Sequence, residues 1–209
     1  MKRISILLAD DHAVVIEGLR RILDQRGFRI VGAVTDGRAL MQAAAELQPD
    51  VIITDVAMPL LNGIEAVRQI RQQNPASKVL FFTMHPEVIY ARQALAAGAC
   101  GYVLKSSAGE ELIVAINEAL NGRVHVDESI ARALQAQPLS SANPIEGLTR
   151  RQREVLQLLA EGRQAKEIAA TLNVSPKTVE FHKYRIMDML GVHTVAELAR
   201  YAAKHGLVE

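Results

Sequence analysis

Residues 51–59, Val-Ile-Ile-Thr-Asp-Val-Ala-Met-Pro, decide the fold of the first part of the chain. The run Val51–Thr54 is apolar at nearly every position, which is typical of a parallel β-strand covered on both faces. Pro59 has no amide hydrogen for a strand ladder, so the strand must end before it. Asp55 therefore comes at the carboxyl end of a buried strand, where open α/β sheets bind their ligands.

Strand-like and helix-like patterns alternate around this stretch. Short apolar runs predict five β-strands, at residues 3–9, 29–34, 50–54, 78–82 and 101–104. Helical periodicity predicts five helices, between Asp11 and Gly27 and at residues 37–47, 63–73, 87–97 and 108–120. This alternation requires an α/β fold with a doubly wound, five-stranded parallel sheet.

Five polar side chains follow four different predicted strands. They are Asp10, Asp11, Asp55, Thr83 and Lys105. Because parallel strands end at the same edge of a sheet, we expect these side chains to meet in one site. Clustered carboxylates repel one another, and their oxygens suit Mg²⁺, or Mn²⁺ in its place. With such an ion and the Lys105 ammonium nearby, Asp55 is a competent acceptor of a phosphoryl group.

The chain changes character after residue 124. A short helix is expected at residues 128–136, and residues 137–144, Gln-Pro-Leu-Ser-Ser-Ala-Asn-Pro, are typical of a flexible linker. Four helical patterns follow, at residues 150–161, 165–172, 176–190 and 195–205. Ser175 and Pro176 suit the first positions of the third of these helices, which favours a helix-turn-helix. We therefore predict a domain at 1–124, a short helix and linker at 125–146, and a separate all-α four-helix domain at 147–209.

Composition limits the class of protein. Among 209 residues there is one cysteine, Cys100, which excludes an internal disulfide framework and fits a reducing compartment. The first apolar run is too short for a signal peptide, and no run approaches the roughly 20 residues of a membrane span. Residues 147–209 carry 10 Lys/Arg and 7 Asp/Glu, a net charge of +3 that favours a polyanionic partner only weakly. We expect a cytoplasmic protein without membrane contact.

Residues 1–122 resemble the receiver domain of bacterial two-component response regulators, which has a flavodoxin-like fold. The matching motifs are Leu8-Ala9-Asp10-Asp11-His12, Asp55-Val56-Ala57-Met58-Pro59 with Gly63, Thr83, and Gly101-Tyr102-Val103-Leu104-Lys105. The resemblance implies that Asp55 accepts a phosphoryl group from a histidine kinase. It also implies that Asp11, Asp55 and the Ala57 backbone carbonyl bind the metal directly, with Asp10 acting largely through water.

The same resemblance implies a two-state switch. Thr83 and Tyr102 resemble the coupled switch pair of the family. In that pair the threonine is drawn to the phosphoryl group and the tyrosine turns inward. Lys105 resembles the phosphate-binding lysine. Ala57 and His85 stand where the family tunes hydrolysis of the phosphoryl group, and Ala57 has no polar group to position water. We therefore expect modest self-dephosphorylation, with the protein otherwise not an enzyme. Leu60 departs from the glycine often found there.

Residues 147–209 resemble the helix-turn-helix output domain of LuxR-type regulators. The matching motifs are residues 148–156, Leu-Thr-Arg-Arg-Gln-Arg-Glu-Val-Leu, residues 167–169, Glu-Ile-Ala, and residues 172–182, Leu-Asn-Val-Ser-Pro-Lys-Thr-Val-Glu-Phe-His. Together with the receiver this is the NarL/FixJ arrangement of response regulator. It implies double-stranded DNA and RNA polymerase as partners and a homodimer on DNA.

Helical geometry divides residues 176–190 into two faces. Val179, Ile186 and Leu190 share the stripe that packs inward. The outward face, suited to base edges in a major groove, holds Lys177, Phe181, Tyr184, Arg185 and Asp188, with Glu180 beside it. Lys183 and Thr178 are expected to reach phosphates. The last helix has an alanine-rich stripe, part of which could be ordinary core. The resemblance implies dimer contacts there, at Val195, Leu198, Ala199 and Ala202.

Other interpretations remain for parts of the pattern. Asp10 and Asp11 alone suit a helix start, and His12 and His85 are expected to be structural or at the surface, because neither has a second histidine at metal spacing. A phosphatase of the haloacid-dehalogenase type would need a second aspartate where Ala57 stands. A dinucleotide-binding enzyme would need a glycine-rich turn after the first strand. A protein-interaction adaptor, with the basic tail holding a partner helix, stays open.

Overall fold

The computed structural model describes residues 3–107, 109–136 and 144–208. The chain divides into two compact units, Met1–Pro138 and Leu139–Glu209. In the first unit the strands are β1 Ser5–Ala9, β2 Arg29–Val34, β3 Val51–Thr54, β4 Lys78–Thr83, β5 Gly101–Leu104 and β6 His125–Val126. The helices are α1 Ala13–Gln25, α2 Gly37–Leu47, α3 Gly63–Gln73, α4 Val88–Ala96, α5 Gly109–Leu120 and α6 Glu128–Ala136.

The sheet of the first unit is parallel throughout, in the order β2-β1-β3-β4-β5-β6. Strand order reverses beside β1, so the ends of β1 and β3 form the crevice in which a doubly wound sheet binds ligands. Alternate residues of each strand enter opposite cores. Ile52 packs with α2, α3 and α4 on one face, whereas Ile53 packs with α1 and α5 on the other. The predicted doubly wound fold is confirmed.

The sheet has a sixth strand that the sequence did not predict. β6 pairs in parallel with β5 over two residues, His125 and Val126, which is too short a run to produce a period-two pattern. The helix expected at residues 128–136 is present as α6, and its Ile130 is 2% exposed within the core. Both elements belong to the first compact unit, so that unit extends beyond the predicted boundary at residue 124. Of the predicted linker, residues 137–143 lie outside the described residues.

The second unit contains a 3₁₀ turn, Pro144–Gly147, and four helices. They are α7 Arg150–Ala160, α8 Ala165–Leu172, α9 Pro176–Leu190 and α10 Val195–Lys204. Asn173 ends α8 in the left-handed conformation, and the Ser175 hydroxyl caps α9 by accepting the Thr178 amide at 3.1 Å. These two residues produce the short turn between α8 and α9, so the predicted helix-turn-helix is present.

Leu60 adopts a left-handed backbone conformation, with φ of +66°. A residue with a side chain loses about 1–2 kcal/mol in that conformation, and glycine does not. The left-handed conformation at position 60 explains why related sequences often have glycine there. Leu60 therefore holds this conformation at the expense of local strain.

Two glycines with opposite surroundings test how closely the chain packs behind the strand ends. A Cβ on Gly63 would lie 1.9 Å from the Asp55 carbonyl oxygen, whereas a Cβ on Gly18, within α1, would meet nothing within 4 Å. We expect Gly63→Ala to lower the free energy of unfolding by more than about 1 kcal/mol, because the backbone at Asp55 must move. Gly18→Ala, the control, should raise it by about 0.5–1 kcal/mol through helix propensity. Urea unfolding measures both, and equal effects would contradict the packing.

Candidate functional site

The strand ends bring four polar side chains into one pocket. Asp10 and Asp55 are 2% and 5% exposed, and Asp11 stands at the rim. Ligand atoms of Asp10, Asp11, His12 and Asp55 all lie within 4.8 Å of one another. This oxygen-rich set fits a hard divalent cation such as Mg²⁺. The structure thus brings together the acidic residues that the sequence predicted.

Lys105 neutralises part of this charge. Its ammonium lies 2.7 Å from an Asp10 oxygen and donates a second hydrogen bond to Oδ2 of Asp55. The other Asp55 oxygen accepts the Val56 amide at 2.6 Å. Burial opposes the charge of Lys105, but the hydrogen bonds to Asp10 and Asp55 outweigh it and raise the pKa of Lys105. The lysine is therefore a permanent cation in contact with the candidate phospho-acceptor.

Asp10 is held differently from Asp55. Burial raises the pKa of the Asp10 carboxyl, and the hydrogen bonds from Lys105 and from the His12 amide only partly oppose this shift. The His12 amide lies 2.9 Å from Asp10 Oδ1, so the backbone after β1 wraps around this carboxylate. The charged form of Asp10 is thus disfavoured by burial, and a bound cation would stabilise it.

His12 belongs to the pocket rather than to a remote surface. Its Nδ1 atom lies 2.9 Å from an Asp11 oxygen and 3.3 Å from an Asp10 oxygen, and its side chain is 58% exposed. The other ligand atoms of this group are carboxylate oxygens. His12 is therefore a surface residue at the edge of the acidic pocket.

Thr83 and Tyr102 lie on adjacent strands beside the pocket. Both are fully buried. The Thr83 hydroxyl accepts the His85 amide at 3.4 Å, and the Tyr102 hydroxyl donates to the His85 carbonyl at 2.8 Å. Burial, with Glu87 and Asp55 nearby, raises the pKa of Tyr102, so its hydroxyl stays protonated. Tyr102 thus points inward, with its hydroxyl bonded to the loop after β4.

The loop after β4 joins these two residues. His85 follows Thr83 by two positions. Its ring packs at a tilt of 38° against the Tyr90 ring, with centroids 4.5 Å apart, and its Nδ1 lies 3.6 Å from Glu87. The Lys105 amide donates to the Thr83 carbonyl at 2.7 Å. Movement of Thr83 therefore affects both the loop that Tyr102 holds and the backbone that carries Lys105.

In the second unit, α9 presents the face that its periodicity predicts. Val179 and Ile186 are buried. The residues predicted to face outward, Lys177, Phe181, Tyr184, Arg185 and Asp188, are all exposed. Phe181 and Tyr184 are 59% and 64% exposed, which is unusual for aromatic side chains in a small domain. The Arg185 guanidinium lies over the Phe181 ring, 6.0 Å from its centroid.

Lys183 lies toward the packed side of α9, as its position on the helix predicts. It forms an ion pair with Glu180, one turn earlier, and its ammonium lies 4.9 Å from the Tyr184 ring centroid. Its side chain is only 18% exposed. A phosphate contact would have to compete with Glu180 for this ammonium. Thr178 likewise has a local partner, the Ser175 hydroxyl at 2.8 Å.

The predicted dimer contacts on α10 need correction. Leu198 and Ala202 are fully buried, because α10 packs against α7 inside this unit. They are core residues and offer no surface to a partner. Val195 is 43% exposed and Ala199 is half-buried, so these two remain available. An alanine-rich stripe predicts close packing, but it does not distinguish packing within a domain from packing between copies.

Family comparisons agree with both halves of this description. Residues 6–117 match the family model described as response regulator receiver domain. Residues 146–202 match the model described as bacterial regulatory proteins, luxR family. The chain is a response regulator of the NarL/FixJ family. Its receiver corresponds to the first compact unit and its LuxR-type domain to the second.

Relatives of this response regulator match it along nearly their whole length. The response regulator UvrY of Escherichia coli K12 is 33% identical over 208 residues, covering 98% of this chain and 95% of UvrY. The oxygen regulatory protein NreC of Staphylococcus aureus JH9 is 38% identical over 215 residues, covering 98% and 99%. A solved RcsB–DNA complex has 30% identity and a TM-score of 0.62, covering 97% of this chain and 98% of that one. No helix among the described residues is both long and apolar enough to cross a membrane.

The raised pKa of Asp10 predicts how its removal changes stability with pH. Its folded-state pKa lies above the ordinary 3.8, so its favourable contribution is complete below that value and is lost as the pH rises through the folded-state pKa. In metal-free buffer we therefore expect Asp10→Asn to gain stability relative to the unchanged protein between acid and neutral pH, by about 1.4 kcal/mol per unit of pKa difference. Urea unfolding in EDTA measures this, and a difference independent of pH would contradict it.

Proposed function

We propose that phosphorylation of Asp55 switches this response regulator between two states. A histidine kinase supplies the phosphoryl group. The observation that carries the proposal is the buried Asp55 carboxylate at the sheet crevice, bonded to Lys105 and within ligand distance of Asp10 and Asp11. A solvated aspartate would not need such neutralisation. Phosphoryl transfer demands positive charge near the oxygens of the transferred group, and this pocket is built to concentrate it.

The proposed transfer forms one bond and breaks one. A carboxylate oxygen of Asp55 attacks the phosphorus of a phosphohistidine, the phosphorus–nitrogen bond breaks, and the departing imidazole keeps the electron pair and takes up a proton. Lys105 then pairs with a phosphoryl oxygen in place of a carboxylate oxygen, and the hydroxyl of Thr83, at the end of the adjacent strand β4, turns toward the phosphoryl group. Mg²⁺, or Mn²⁺ in its place, supplies further positive charge when held by Asp11, Asp55 and the Ala57 carbonyl, with Asp10 through water.

The phosphoryl group is proposed to be a signal and not a catalytic intermediate for other substrates. Ala57 lies two residues after Asp55, where a haloacid-dehalogenase-type phosphatase needs an acid, and its methyl group can neither donate a proton nor orient water. The protein thus catalyses only its own phosphorylation and a modest self-dephosphorylation. Shifting the ratio of active to inactive molecules from about 1:99 to 99:1 requires roughly 5.5 kcal/mol of differential stabilisation. Charge and hydrogen bonds at one phosphoryl group can largely supply this energy.

The second unit is proposed to read double-stranded DNA as a homodimer. The exposed face of α9 carries Lys177, Phe181, Tyr184 and Arg185, which offer donors and aromatic surface to base edges. One solved relative is described as two RcsB dimers bound to two parallel DNAs, which supports paired binding. Of the predicted α10 contacts, Val195 and Ala199 are accessible to a second copy. RNA polymerase is the proposed partner at promoters, and the cytoplasm, where DNA lies in bacteria, is the proposed location.

Replacing the acceptor tests the phosphorylation site. We expect Asp55→Asn to lose all labelling by radioactive acetyl phosphate with Mg²⁺, because the amide is no nucleophile, while Asp24→Asn, an exposed control on α1, labels like the unchanged protein. Phos-tag gels and intact-mass measurement of a single phosphoryl adduct report the result. Persistent labelling of Asp55→Asn would place the acceptor elsewhere.

Two substitutions on α9 test the proposed DNA face. Against a duplex enriched from a random-sequence pool by the phosphorylated protein, Tyr184→Ala should lose about 1–3 kcal/mol of binding and relax sequence preference. Lys177→Ala, which removes a donor to a base edge, should weaken binding by a similar amount and also relax sequence preference. Asp188→Ala, further along the same face, is the control for helix stability. Gel shifts at two salt concentrations measure these effects, and binding insensitive to both changes would favour a protein-interaction role.

A further inference from the structure

Residues 125–136 are anchored to the receiver at three independent places. β6 pairs with β5. The His125 ring lies between two carboxylates of α5, with Nε2 2.8 Å from Glu111 and Nδ1 2.9 Å from Glu118. Ile130 of α6 is buried in the apolar cluster that also contains Tyr90 and Tyr102. A segment that merely connected two domains would not need this set of contacts.

Asp127 lies at the start of α6 and binds two parts of the switch region. Its amide donates to the carbonyl of Tyr102 at 2.9 Å. Its Oδ2 accepts the Ser107 hydroxyl at 2.6 Å, and its Oδ1 accepts the amide of Ser129 at 3.0 Å, which caps the helix. Burial opposes the charge of Asp127, but the hydrogen bonds from Ser107 and Ser129 outweigh it and lower the pKa of this carboxyl. The Ser107 bond is therefore a charge-assisted one.

Ser107 belongs to the turn that carries Lys105. The Ser107 amide donates to the Leu104 carbonyl at 3.0 Å, so residues 105–107 form one tight turn after β5. Lys105 loses its bond to a carboxylate oxygen when a phosphoryl group arrives on Asp55, and its new partner lies farther out. Since the turn is short, a change in the position of Lys105 is carried to Ser107 and so to Asp127.

The far end of α6 contacts another switch element. α6 packs on α4, where the Arg92 guanidinium reaches the Leu134 carbonyl at 3.5 Å. α4 follows the loop of His85, whose carbonyl accepts the Tyr102 hydroxyl. Both ends of α6 thus contact elements that touch Thr83, Tyr102 or Lys105. α6 is also the last helix of the receiver before the chain continues to the DNA-binding unit.

We propose that Asp127 is a positioning residue that couples the Lys105 turn to α6, so that α6 transmits the state of Asp55 to the chain leading to the DNA-binding unit. The Ser107–Asp127 hydrogen bond holds α6 docked while Asp55 is free, and phosphorylation loosens it. This coupling rests on the proposed phosphorylation of Asp55. It assigns a signalling role to residues 125–136, which lie between the regions matched by the two family models.

The test compares variants of Ser107 in the full chain. The measured quantity is the ratio of dissociation constants, unphosphorylated over acetyl-phosphate-treated, for a duplex enriched from a random-sequence pool by the treated protein. We expect Ser107→Ala to lower this ratio by about tenfold, which is about 1.4 kcal/mol, mainly by tightening the unphosphorylated form. Ser107→Thr, which keeps the hydroxyl, should restore the ratio. Ser106→Ala, at the exposed neighbouring position, is the matched control.

A second readout separates coupling from simple loss of structure. Hydrogen exchange of residues 128–136 should increase on phosphorylation of the unchanged protein, and in Ser107→Ala it should be high before phosphorylation and change little. Labelling of Asp55 should be equal in both. A ratio and an α6 exchange pattern unchanged by Ser107→Ala would overturn the coupling. If the unchanged protein itself labels but shows no difference in DNA binding, or does not label, the proposed function fails instead.

Discussion

The ion pairs of Lys105 with Asp10 and Asp55 are the interaction on which the rest of the receiver depends. Two buried carboxylates at the crevice would repel each other, and Lys105 makes their proximity tolerable without a bound cation. Because the lysine comes from β5 and the aspartates from the ends of β1 and β3, the pairs hold three strands in register at the functional edge. In the proposed mechanism the same lysine changes partner when a phosphoryl group arrives, so one contact would serve both stability and switching.

A few backbone groups, those of His85 and Tyr102, connect the residues proposed to respond to phosphorylation. The His85 carbonyl accepts from Tyr102, and the His85 amide donates to Thr83. The Tyr102 carbonyl accepts from Asp127. Each bond is worth about 1 kcal/mol, so a rearrangement at Asp55 is opposed by only a few kcal/mol in total. A phosphoryl group with its cation supplies energy of that order, which is why so small a modification can shift the population.

Sequence reasoning recovered the architecture because each element carries a local signal. The all-apolar run of β3 and the capped start of α9 at Ser175 depend on nearest neighbours alone. The acidic pocket could also be predicted from the sequence, because parallel strands place their carboxyl ends at the same edge of the sheet. The sequence failed where contacts are distant in the chain. β6, two residues long, is defined by its pairing with β5. The stripe of Leu198 and Ala202 packs against α7, and its periodicity alone fits a domain core as well as a dimer face.

The sequence by itself determined that the chain is a receiver followed by a LuxR-type domain, with Asp55 at the end of a buried strand and an outward face on α9. Local periodicity, capping and motif spacing suffice for these, because they are properties of short segments. Only the tertiary structure decided that the Tyr102 hydroxyl points inward to the His85 carbonyl, that Lys183 is paired with Glu180, and that residues 125–136 belong to the receiver. Those outcomes depend on which side chains meet across the fold, and Asp127 and Ser107, twenty residues apart, meet only because β6 lies beside β5.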